Sequence, residues 1–69
     1  MPTKSEVLAE ITARSGRTMQ QIGHRLVNDA EPSVGADYDY PINGDVKAHI
    51  RRLIAERAIY ATTTGYEVL

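Results

Sequence analysis

The stretch that most constrains this chain is Asn43–Arg57, with the sequence NGDVKAHIRRLIAER. Val46, Ile50 and Leu53 recur at helical spacing, so a helix would place them on one face, with Ile54 at its edge. The opposite face would carry Gly44, Ala48, Arg51, Arg52 and Ala55, and its flanks would carry Asp45, Lys47 and His49. The pattern therefore predicts a helix over residues 43–57 that buries an apolar face and exposes small and basic residues.

A β-hairpin is predicted directly after this helix. Residues alternate between apolar and polar in Ala58–Thr63 and in Tyr66–Leu69, which favours two short strands. We expect a tight turn at Thr64-Gly65, with Gly65 supplying a positive φ. Because isolated hairpins are marginally stable, this one needs a helical surface beneath it.

Two capping boxes predict two further helices near the N-terminus. Thr3–Glu6 and Thr18–Gln21 each place a threonine three residues before Glu or Gln. The apolar stripes that follow predict helices over residues 4–15 and about 19–28, with Gly16 just past the first. The predicted fold class is therefore α+β, mainly α, with three helices followed by a C-terminal two-stranded hairpin.

Gly23 is an unusual residue for the middle of the second helix, where glycine costs about 1 kcal/mol relative to alanine. One interpretation is that another helix packs closely across this position. The alternative is a weak point in a surface helix. We favour close packing, because that accounts for the residue.

Residues 29–42, DAEPSVGADYDYPI, are predicted to form a long acidic loop. The net charge is −5 over residues 29–45 and +2 in the segments on either side. A loop of this length is uncommon in so small a domain and is usually functional or disordered. Tyr38 and Tyr40 alternate with Asp37 and Asp39, so the tyrosines either fold over the core or contact a partner.

Size and composition exclude several classes of protein. With 69 residues and no cysteine, we expect one domain over residues 1–69 with a small core and no disulfide. The absence of cysteine fits the reducing cytoplasm, which is the predicted location. The N-terminal segment has charges within its apolar positions, so we predict neither a signal peptide nor a membrane span. A net charge of −1 argues against a general nucleic-acid coating protein.

Catalytic motifs are also missing from the sequence. There is no cysteine nucleophile, glycine-rich phosphate loop or serine nucleophile elbow. His24 and His49 are the only histidines, and their surroundings lack the spacing of a metal site. We therefore expect no enzymatic activity, no cofactor and no metal.

The segments TMQQIGHRL and VKAHIRRLIAERAIYATTTGYEVL resemble the winged helix-turn-helix superfamily. They look most like its compact bacterial branch, typified by the DNA-binding domain of biotin-ligase repressors. The matching positions are Ile22, Gly23 and Leu26 in the first segment and Val46, Ile50, Leu53, Ile59, Gly65, Tyr66 and Leu69 in the second. The chain departs from the pattern in its long acidic insert at 29–42 and in a wing tip that lacks Lys and Arg.

The resemblance implies a small DNA-binding transcriptional regulator with residues 43–57 as its recognition helix in the major groove of double-stranded DNA. Asn43 and Lys47 would contact base edges. Phosphate contacts would come from Arg17, Arg51 and Arg52, with His49 and the wing residue Thr63 in support. One protomer covers a small site, so a homodimer is expected to be needed for useful affinity.

A protein-binding winged helix, of phage or mobile-element type, is the alternative. Its contacts would come from Asp37, Tyr38, Asp39 and Tyr40 in the acidic loop, because aromatic anchors amid charge are typical of binding surfaces. Salt-sensitive retention on DNA would favour the regulator. Loss of function on deletion of the loop would favour the protein-binding module.

Overall fold

The computed structural model describes residues 2–30 and 42–69. Its elements are α1 (Lys4–Ala13), α2 (Met19–Val27), α3 (Gly44–Ala55), β1 (Ile59–Ala61) and β2 (Tyr66–Val68). The two strands pair antiparallel, with Tyr60 opposite Glu67. This confirms the predicted fold class of three helices followed by a hairpin. The predictions for residues 31–41, which include Tyr38 and Tyr40, lie outside the described residues.

Both predicted capping boxes are present. The Thr3 hydroxyl accepts a hydrogen bond from the Glu6 amide at 3.2 Å, and the Glu6 carboxylate accepts one from the Thr3 amide at 2.9 Å. Thr18 and Gln21 make the same reciprocal pair. Each box satisfies two backbone donors at a helix start, so local sequence alone determines where α1 and α2 begin.

The helices and strands end earlier than predicted. α1 stops at Ala13 rather than at residue 15, because Arg14 leaves the helical conformation with φ −137 and ψ 71. Two residues later Gly16 adopts φ +86, and its amide donates to the Tyr66 carbonyl at 2.9 Å. α3 stops at Ala55 rather than at residue 57, because Arg57 adopts φ 61. In both places a left-handed residue redirects the chain towards the hairpin.

The described part of the chain has a small core of aliphatic side chains from all three helices and β1. Its buried members are Val7, Ile11, Ile22, Val46, Ile50, Leu53 and Ile59. The predicted apolar face of α3 is therefore confirmed, and Ile54 lies at its edge with 38% exposure. Leu8, Leu26 and Tyr66 pack against this core while only partly buried.

A buried carboxylate lies near the turn between α1 and α2. Glu10 is only 6% exposed. Its carboxylate accepts a hydrogen bond from the Arg14 guanidinium at 3.1 Å, and the Arg17 guanidinium lies 3.7 Å from its second oxygen. Two cations around one carboxylate offset the cost of removing that charge from water.

Gly65 does not have the positive φ that was predicted for it, so that prediction is wrong. The strands are joined by four residues, Thr62–Gly65, rather than by a two-residue turn. The Thr62 amide donates to the Gly65 carbonyl at 2.7 Å, and the Thr62 hydroxyl accepts from the Gly65 amide at 3.0 Å. Four-residue loops are commonly built on type I turns, whose central residues keep negative φ.

Close packing is the reason for glycine at position 65. A Cβ there would meet the Arg17 carbonyl oxygen, and would lie 2.5 Å from the Arg17 carbonyl carbon and 2.6 Å from that of Gly16. The hairpin loop thus rests directly on the backbone of the α1–α2 turn. Gly23 is also buried, but a Cβ there would lie 3.7 Å from the Asn43 Cβ, which is ordinary contact. The contact at Gly23 is thus made by the residue that caps α3, and a methyl group would fit there. This contact does not require glycine at position 23.

Gly65→Ala should lower the free energy of unfolding by about 2 kcal/mol or more, because backbone atoms would have to move to admit the methyl group. Gly23→Ala is the matched control, and we expect it to raise stability by up to about 1 kcal/mol through helix propensity. Urea unfolding followed by circular dichroism measures both. Equal effects of the two substitutions would contradict the packing described for Gly65.

Candidate nucleic-acid interface

The outward face of α3 forms a shallow, open groove. Its lining residues are Gly44, Lys47, Ala48, Arg51, Arg52, Ala55 and Glu56. Arg51 and Arg52 are exposed, and Lys47 is partly exposed. The burial of Val46, Ile50 and Leu53 on the other side of the helix orients these cations towards solvent. The structure thus brings together three of the residues predicted to contact DNA.

The positive charges of this groove are not compensated by carboxylates in residues 2–30 and 42–69. The ion pairs of these residues join Lys4 to Glu56, Arg14 and Arg17 to Glu10, and Arg25 to Asp29. None of them involves Lys47, Arg51 or Arg52. A cation without an internal partner can pair with an external anion without first breaking an ion pair.

Glu56 is the acidic residue of the groove, and it is engaged by α1. The Lys4 ammonium donates to both carboxylate oxygens of Glu56, at 2.8 and 3.0 Å. Arg52 lies four residues before Glu56, at a spacing that commonly gives an ion pair on a helix. Glu56 pairs with Lys4, and Arg52 forms no ion pair within residues 2–30 and 42–69, so its guanidinium is available to a ligand.

Asn43 serves as the N-cap of α3. Its side-chain oxygen accepts hydrogen bonds from the amides of Asp45 at 3.0 Å and Val46 at 3.1 Å. Reading an adenine in the bidentate manner requires both the oxygen and the nitrogen of an asparagine side chain. With its oxygen engaged in the cap, Asn43 can offer a ligand its amide nitrogen.

Besides Asn43, three other residues predicted to contact DNA lie outside the lining of the groove of α3. Arg17 is 20% exposed and its guanidinium lies beside Glu10. The His49 ring nitrogen Nε2 lies 3.1 Å from the Pro2 carbonyl oxygen. Thr63 is exposed in the hairpin loop, where it lines a second groove against the start of α2. Contacts from these residues to DNA stay predictions.

Sequence reasoning missed the pairing of Lys4 with Glu56. The two residues are 52 positions apart and both are exposed, so no local pattern links them. Only the packing of α1 against α3 brings them together. The residues of the alternative, protein-binding prediction are Asp37, Tyr38, Asp39 and Tyr40, and all four lie outside the described residues.

Metal-binding clusters and membrane-spanning helices are both absent from the described residues. In residues 2–30 and 42–69, no group of three or more His, Asp or Glu side chains is arranged to hold a metal ion. None of the helices there has the length and apolarity needed to cross a membrane.

Two substitutions of Asn43 test its role as the N-cap of α3. Asn43→Ala should lower the free energy of unfolding by about 1 kcal/mol, because the amides of Asp45 and Val46 lose their acceptor. Asn43→Asp should retain the stability, since aspartate caps equally well and its charge suits a helix N-terminus. Thermal unfolding measures both variants. An unchanged melting temperature for Asn43→Ala would contradict the capping role.

Comparison of the chain with protein-family models, with curated proteins and with solved structures gave no match. The order of elements, three helices and then an antiparallel hairpin, is consistent with winged-helix topology. The groove of α3 is the geometric feature of the described residues from which we infer a function.

Proposed function

We propose that this protein is a small DNA-binding regulator of the winged helix-turn-helix type, with α3 as its recognition helix. The observation that carries the proposal is the charge of Lys47, Arg51 and Arg52 on one exposed helix face, with which no carboxylate of residues 2–30 or 42–69 forms an ion pair. Double-stranded DNA is the anion that such a surface suits, because its phosphates are regularly spaced and its major groove admits one helix.

The small residues of α3 support the same proposal. The cations of the groove are interspersed with small residues, namely Gly44, Ala48 and Ala55. Among the described residues, Glu56 is the one other long side chain that lines the groove. A helix with its side chains is about 10–12 Å across and the major groove is about 12 Å wide. Small residues allow the helix backbone to approach the base edges, so that the longer cations reach bases and phosphates at either side.

The roles of the cations follow from their positions along α3. Lys47 lies in the N-terminal half of the helix, which contacts base edges in helix-turn-helix complexes, and lysine suits the acceptors of guanine. Arg51 and Arg52 lie in the second half and would contact phosphates. The hairpin would act as the wing, with the Thr63 hydroxyl donating to the backbone. A homodimer would double the contacted site.

Anisotropy of a labelled random duplex, titrated across a salt series, tests the proposal. The two cationic phosphate contacts, from Arg51 and Arg52, predict that log K falls against log salt with a slope of about −2 or steeper. Arg51→Ala and Arg52→Ala should each weaken binding roughly three- to tenfold and lower the slope by about one. Because both side chains are exposed, the free energy of unfolding should change by less than about 0.5 kcal/mol.

Arg14→Gln is the control for net charge. It removes one positive charge from α1, at a residue that pairs with Glu10, and leaves the groove of α3 intact. We expect the salt slope of this variant to match that of the wild type. Absence of binding by the wild type at low salt would overturn the proposal, and equal losses in all three variants would show that only net charge matters.

A further inference from the structure

α3 ends in a turn that glycine normally makes. Arg57 adopts φ 61, its amide donates to the Ile54 carbonyl at 3.0 Å, and the Ala58 amide donates to the Leu53 carbonyl at 2.9 Å. These two hydrogen bonds define a Schellman motif, in which the left-handed position is usually glycine. An L-residue with a Cβ and a long side chain is strained there, and glycine is not.

The other left-handed residues of the described chain show why Arg57 is unusual. At the end of α1 the chain uses Gly16, with φ +86, so no strain arises. After α2 it uses Asp29, with φ 49, and the Asp29 carboxylate accepts a hydrogen bond from Arg25 at 3.1 Å. Aspartate tolerates this conformation better than most residues, and here its side chain also makes a contact within the fold.

The Arg57 side chain makes no such contact. It is exposed, and no hydrogen bond or ion pair joins its guanidinium to residues 2–30 or 42–69. Within the described residues, no contact of the Arg57 side chain therefore offsets the strain of its backbone. Strain at a residue that does not serve the fold points to a role outside it.

The position of Arg57 suggests what that role is. Arg57 directly follows Glu56, whose carboxylate is paired with Lys4, and it lies five residues beyond Arg52. Its charge therefore extends the uncompensated cations of α3 past the end of the helix, towards β1. A cation at this end of the helix would reach DNA phosphates that flank the major groove, rather than base edges within the major groove.

We propose that Arg57 is a third cationic phosphate contact of the DNA surface, beside Arg51 and Arg52, and that its conformation lowers stability in favour of binding. This inference rests on the proposed function. It also separates two explanations of Arg57. If arginine were kept for a favourable interaction with the C-terminal dipole of α3, glycine would weaken the fold. If arginine is kept for DNA, glycine strengthens the fold and weakens binding.

The test compares Arg57→Gly, Arg57→Asn and Arg57→Lys with the wild type, by urea unfolding and by anisotropy of the random duplex across a salt series. Arg57→Gly should raise the equilibrium constant of folding about fivefold, because the strain is removed. It should also bind DNA roughly three- to tenfold more weakly, with a salt slope lower by about one.

The two other variants make the result specific. Asparagine tolerates the left-handed conformation without a charge, so Arg57→Asn should fold at least as well as the wild type and bind as weakly as Arg57→Gly. Arg57→Lys retains the charge, so it should bind within about twofold of the wild type at an unchanged slope.

Three outcomes would overturn the inference, and they are distinguishable. If the wild type binds and Arg57→Gly binds equally well with the same slope, Arg57 is not a contact while the proposed function stands. If the wild type itself shows no binding at low salt, the proposed function fails and this contact fails with it. Lower stability of Arg57→Gly would also contradict the exchange of stability for binding.

Discussion

The contact between the hairpin loop and the α1–α2 turn is the constraint on which the rest of this structure depends. Gly65 lies against the backbone of Arg17, and the Gly16 amide donates to the Tyr66 carbonyl. Two strands of three residues each would be marginal alone. Held by this contact and by Ile59 in the core, the hairpin closes a domain that has neither a disulfide nor a large core to stabilise it.

Those parts of the fold that depend on local sequence could be predicted, and those that depend on distant contacts could not. The capping boxes and the spacing of Val46, Ile50 and Leu53 act within a few residues, so helix starts and the buried face of α3 were correct. The role of Gly65 was not, because it depends on a backbone 48 residues earlier in the chain, at Arg17. The predicted ends of α1 and α3 were each two residues too late. The backbone conformation after each helix depends on where the following element packs, and this is not encoded locally.

The same distinction applies to the candidate site. The helical period predicted that Arg51 and Arg52 would face solvent, but charge compensation depends on neighbours that only the fold supplies. Glu10 forms ion pairs with Arg14 and Arg17, and Glu56 forms one with Lys4. A chain with a net charge of −1 thereby presents a locally basic face on α3, because the ion pairs within residues 2–30 and 42–69 involve none of the cations of that face. Total charge is a poor guide to the field that a ligand meets at one surface.

The contact of His49 with the first described residues has a practical consequence. The Pro2 carbonyl lies 3.1 Å from the His49 ring on the flank of α3, and Lys4 lies beside the end of the same helix. A peptide fused ahead of Pro2 would therefore emerge next to α3, where a fluorophore, an affinity tag or a bead surface would compete with anything that binds this helix. Leu69 is 70% exposed, and its amide donates at 3.1 Å to the carbonyl of Ala58, the residue directly after Arg57. A peptide fused after Leu69 would therefore also emerge close to α3, beside its C-terminal end.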